Sequence, residues 1–129
     1  MADTQASLPY LAIALLAQRL LDAARAMENG DPAPMRALAP IALSLLEPGG
    51  QPPGIPDYER IRTVEVACAA AEREKTVRTL RELVGGGEPV GEGEAVRGTF
   101  RKIEAQALQN FEHPPTALPQ GVLALCQAT

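Results

Sequence analysis

The sequence has little with which to build a core of large rings: it holds no tryptophan, and its aromatics are only Tyr10, Tyr58, Phe100 and Phe111. Such a core must gain stability from close approach of backbones, which favours helices packed through alanine over a sheet stacked through bulky side chains. Cysteine is equally scarce. Cys68 lies in an alanine-rich stretch and Cys126 near the C-terminus, a pattern that excludes the dense disulfide framework of a small secreted scaffold. Reduced thiols in a cytoplasmic protein are the expectation. Lysine is limited to Lys75 and Lys102, so nearly all positive charge is carried by arginine. With so much Ala, Gly and Pro, that bias hints at a GC-rich coding genome.

Long apolar runs are also missing. The stretch from Leu8 to Ala17 reaches about half the length of a bilayer span and stops at Gln18 and Arg19. No basic cluster precedes it, as a secretory signal would require. The net charge of −4 provides no general positive field to attract nucleic acid or an anionic membrane.

What is present is helical periodicity. A chain of 129 residues is the usual size of one domain, and the patterning predicts an all-α bundle of four to five helices spanning 1–129. Residues 1–6 are expected to form a flexible N-terminus. The first helix should start at Ser7, with Pro9 in its first turn, and end at Gly30. Ile13, Leu16, Leu20, Ala24 and Met27 follow one face, and Leu8, Leu11, Leu15 and Leu21 widen it enough to require cover on two sides. Asp31 and Pro32 open a second helix whose buried side carries Met35, Leu38, Ala42 and Leu45, with Pro40 expected to kink or divide it.

Residues 48–56, rich in Pro and Gly, read as an internal loop. Asp57 is positioned to cap a third helix running to about Val84, with one stripe through Tyr58, Ile61, Val64, Cys68 and Ala71 and another through Val66, Ala70, Val77, Leu80 and Val84. Their overlap predicts a middle turn enclosed on all sides. A Gly-rich loop covers 85–93. The next helix carries Val96, Phe100, Ile103, Ala107 and Phe111 on one face and ends at His113. A short terminal helix is expected from near Pro119.

No catalytic motif is assembled. His113 is the only histidine, and with two cysteines it cannot complete a four-ligand zinc site within one chain. Cys68 has no neighbouring base to generate a thiolate and reads as a small buried hydrophobe. The glycines of 85–93 match neither phosphate-loop nor dinucleotide spacing, and Glu88, Glu92 and Glu94 stand where a phosphate needs donors. No metal or cofactor is therefore called for. The densest basic group, Arg60, Arg62, Arg73, Lys75, Arg78 and Arg81, is interleaved with glutamates and reads first as a salt-bridged surface.

Two functional expectations follow. The leading one is a non-enzymatic protein-interaction module (an adaptor, assembly factor or regulatory subunit) that forms a homodimer through Ile13, Leu16 and Leu20 of the first helix. The alternative is a small ligand-binding protein or enzyme whose Arg73, Arg78 and Arg81 clamp an anionic metabolite.

Overall fold

A computed structural model describes residues 2–89 and 91–115, with side chains from Ser7 onward. Among the described residues the chain is five helices and no strand: α1 (Ala2–Glu28), α2 (Ala33–Leu46), α3 (Asp57–Ala67), α4 (Ala70–Val84) and α5 (Gly93–Glu112). The expected all-α bundle is what the chain forms. The expected terminal helix near Pro119, and Cys126, lie outside the described residues.

Helix α1 is the axis of the bundle. Ile13, Ala14, Ala17, Leu20 and Ala24 are wholly buried, and Tyr10, Leu16, Leu21 and Ala23 nearly so. Helix α5 begins against the last turn of α1: a side chain on Gly93 would meet Glu28 Cγ at 2.6 Å and the Glu28 amide nitrogen at 3.0 Å. Because α5 packs along most of α1 from that point, it runs antiparallel to it. Its stripe behaves as the periodicity predicts, with Val96, Phe100, Ile103 and Ala107 at zero exposure. Phe100 is the largest wholly buried side chain, and its burial contributes roughly 1.5–3 kcal/mol.

The glycine stops act by one mechanism. Gly30 has φ +90°, and the turn it makes lets the Asp31 amide reach the carbonyl of Ala26 at 2.9 Å. Gly86 has φ +92°, and the Gly87 amide likewise reaches Glu82 at 2.8 Å. In both, a left-handed residue returns the chain onto carbonyls that the helix end leaves unpaired.

Several expectations are corrected. Helix α1 starts at Ala2, so 2–6 belong to the helix and Pro9 lies well inside it. Pro40 does not divide α2, which is continuous from Ala33 to Leu46. Pro40 is exposed, so water can serve the Arg36 carbonyl that its ring deprives of a donor. Asp57 is the first residue of α3 rather than its cap, and no side chain caps that helix.

The largest correction concerns the expected third helix, which is two helices. Cys68 (φ −145°, ψ 150°) and Ala69 (φ −65°, ψ 152°) are extended and separate α3 from α4. The two stripes belong to different rods, and the turn between them is not enclosed: Val66 is 60% exposed, and Ala70 and Ala71 are also exposed. Helix α4 buries Thr76, Val77, Thr79, Leu80 and Leu83, leaving Val84 outside.

Candidate functional site

The arginines of α3 and α4 were the strongest chemical lead in the sequence, and they do not converge. Arg60 is 3% exposed and points back at the end of α2, where Nη1 donates to the carbonyls of Leu45 (3.4 Å) and Glu47 (3.2 Å). Its Nε donates to Asp57 Oδ1 at 3.1 Å. Arg73, half-buried, donates through Nη1 to the carbonyl of Cys68 at the break between α3 and α4. Arg81 pairs with Glu47 across from α4 to α2 at 3.0 Å. Arg78 is exposed on α4, beside Lys75, Glu82 and Glu92. Three different tasks therefore occupy Arg73, Arg78 and Arg81, and no guanidinium clamp forms among them.

The remaining long-range polar contacts have the same character. Arg36 Nη2 donates to the Gly87 carbonyl at 3.1 Å, tying α2 to the turn after α4. Arg97 Nε lies 2.8 Å from Glu28 Oε2, joining α5 to α1, although its N–H is not aligned on that oxygen. Lys102 pairs with Glu72 at 3.0 Å between α5 and α4. The Arg62 guanidinium sits 5.9 Å above the Tyr58 ring, within cation–π range.

Two concave regions lie near the Gly-rich loop. A cleft of about 390 Å³ is lined by Met27, Glu28, Pro32, Glu88, Pro89 and Glu94, and its charges are acidic. A shallower groove between α4 and α5 has Ala71, Thr76, Ala95 and Gly98 among its lining, with Lys75, Glu92 and Lys102 alongside them. Its charges alternate in sign. Among the described residues, no group of three or more His, Cys, Asp or Glu side chains is placed to hold a metal ion.

The titratable groups have structural causes for their shifts. Burial pushes the Cys68 thiol above its ordinary value, with Arg73 nearby offsetting only part of the effect. A thiol held protonated in this way is a poor nucleophile, and its Sγ donates to the Val64 carbonyl at 3.5 Å. Burial also raises Tyr10, reinforced by the negative charge of Glu59. Glu59 itself is raised by burial. His113 is exposed at the end of α5, where its amide closes on the carbonyl of Gln109 at 2.8 Å.

The first helix is where the outer surface departs from a solvated one. Ile13, Leu16 and Leu20, expected at a subunit interface, are buried in the chain's own core. A different stripe of α1 faces out. Leu8 is 50% exposed and Leu15 53%, while Leu11 and Ala12 are half-buried between them. The same stripe continues as Gln18, Arg19, Asp22 and Arg25, all exposed. Its first two turns are thus apolar and its remainder polar. The sequence pattern contained this division, but an all-round apolar start hides which leucines the bundle leaves uncovered. No helix among the described residues is long and apolar enough to cross a membrane. Neither a protein-family model, nor a curated protein, nor a solved structure matches this chain.

Proposed function

We propose that this chain is a non-enzymatic helical interaction module, an adaptor, assembly factor or regulatory subunit, that contacts another protein through the outer stripe of α1. One observation carries the reading: Leu8, Leu11, Ala12 and Leu15 form a continuous apolar strip on a helix whose opposite faces are already committed to the core. A single exposed leucine is ordinary on a protein surface, whereas neighbouring ones along one ridge make a patch that a partner would cover. The polar residues that follow would form the rim of such a contact. The ion pairs of α2 to α5 support the same reading from the other side, because they use the guanidinium groups that an anionic-metabolite site would need.

A photo-crosslinking amino acid at position 15 tests this in cells producing the protein. The expected result is a discrete covalent protein adduct at 15 and none at position 22, whose native aspartate is 80% exposed on the polar half of the stripe. Absence of any protein adduct at 15 would refute the reading.

A further inference from the structure

We infer that the partner of this strip is a second copy of the chain, seated antiparallel about a twofold axis that passes between Leu11 and Ala12. The inference rests on the proposed use of α1 as a contact surface and goes beyond it by naming the occupant and the register. The outward apolar positions are 8, 11, 12 and 15, and their spacing is a palindrome: Leu8 and Leu15 lie equally far from the midpoint, as do Leu11 and Ala12. A twofold contact requires this property, since residue i must meet j while j meets i. With the axis at the midpoint, each Leu8 lies over the partner's Leu15, and all four apolar positions find apolar counterparts.

The small side chain of Ala12 beside the axis lets the two helices approach to about 8 Å, the lower end of ordinary helix packing. Any other antiparallel register shifts a leucine onto Gln18, Arg19 or Asp22. A parallel pairing would stack the strip in register, yet the strip occupies only two turns, too short for the sustained apolar repeat of a parallel coiled coil. The contact is small. Four side chains per protomer bury far less than the roughly 1,600 Å² of a standard interface, so the dimer should be weak and exchange rapidly, with dissociation on the order of tens of micromolar.

Register makes the proposal testable. Residue 8 is three and a half positions from the axis, so the two copies of residue 8 are offset by about 10.5 Å along the helices, whereas the two copies of residue 12 are offset by only about 1.5 Å. Disulfides close only when Cα atoms are within roughly 7 Å. In a Cys126→Ser background, Ala12→Cys should therefore oxidise to a covalent dimer. Leu8→Cys and Leu15→Cys should each stay monomeric alone and cross-link when mixed. Sedimentation velocity of the native chain from about 5 to 300 µM should show a monomer-to-dimer shift, abolished by Leu15→Glu with no loss of helical signal.

A native chain that stays monomeric throughout that range overturns the inference; a position-15 adduct with a different protein would then leave the interaction reading standing. Self-linking of Leu8→Cys overturns the antiparallel register. A dimer that persists in Leu15→Glu overturns both the inference and the assignment of this face.

Discussion

Replacing Arg60 separates a structural arginine from a ligand-binding one. In the native chain its guanidinium closes the end of α2 through the carbonyls of Leu45 and Glu47, while its aliphatic stem is buried with it. Arg60→Ala removes three methylenes worth about 0.8 kcal/mol each and two charge-assisted hydrogen bonds at the long end of the range, worth about 1 kcal/mol each. The sum is roughly 4 kcal/mol, and the exposed partner Asp57 adds little, because ion pairs in contact with solvent contribute at most about 1 kcal/mol. Arg60→Met keeps the stem and should cost roughly half as much. Unfolding entropy near 2.1 cal/mol/K per residue converts these losses into drops in Tm of roughly 15 and 7 °C for a chain of this length. Arg78→Met, on an exposed side chain, should shift Tm by no more than about 2 °C. Differential scanning calorimetry of the three variants provides the comparison. Equal, small shifts for Arg60→Met and Arg78→Met would show that Arg60 does not hold the α2 end, and the structural account of the basic helix would fail.

Three further outcomes are expected. Gly98 lies inside α5 with open space where a Cβ would go, so Gly98→Ala should raise stability by about 0.5–1 kcal/mol, whereas Gly50→Ala, whose Cβ would fall 2.1 Å from the Ser44 carbonyl oxygen, should lower it; thermal melts decide both signs. The buried hydroxyls of Thr76 and Thr99 lie 2.9 Å apart, so Thr99→Val should cost about 1–3 kcal/mol by orphaning Thr76, and Thr76→Val in the same chain should restore much of it in denaturant titrations. Glu59 has its pKa raised by burial, so ionising it penalises the folded state: Glu59→Gln should stabilise the protein at pH 7, and the advantage over the native chain should fade as pH falls below the ordinary value of 4.5, where both folded and unfolded carboxyls are protonated.

How much of this was legible in the sequence depends on which physical signal each feature leaves. The stripe of Val96, Phe100, Ile103 and Ala107 was fully legible because one face of α5 meets the core along its whole length. Gly30 and the run at 85–87 were legible because left-handed turns leave few residue choices. The break at Cys68 and Ala69 was not, since it contains neither glycine nor proline. It rests instead on tertiary bonds, chiefly Arg73 to the Cys68 carbonyl, that no local pattern encodes. The shift of apolar stripe midway was the trace it left, and one bent rod and two separate rods produce the same trace. For the site, the leucines of α1 were recognised as too numerous for one face, but choosing Ile13, Leu16 and Leu20 over Leu8 and Leu15 required knowing where α5 lies.

The arginine usage and the uncovered strip are connected through the scarcity of other fastening. None of α2, α3, α4 or α5 has a side-chain hydrogen bond at its N-cap, and there are few rings to lock the packing. Arginine supplies what is missing, because one planar fork can serve several carbonyls at a helix end while its stem fills apolar space. Arg60 does this for α2, Arg73 for α3, and Arg36 for the turn after α4. A guanidinium committed to backbone carbonyls cannot also receive an anionic ligand without releasing the helix it closes. Basic density on α3 and α4 thus reflects assembly of the bundle, and the surface left free of structural duty is the short ridge of Leu8, Leu11, Ala12 and Leu15. Arg60→Met would loosen the fold without touching that ridge, while Leu15→Glu would abolish contact and leave the melt unchanged, so the two variants should dissociate stability from association completely.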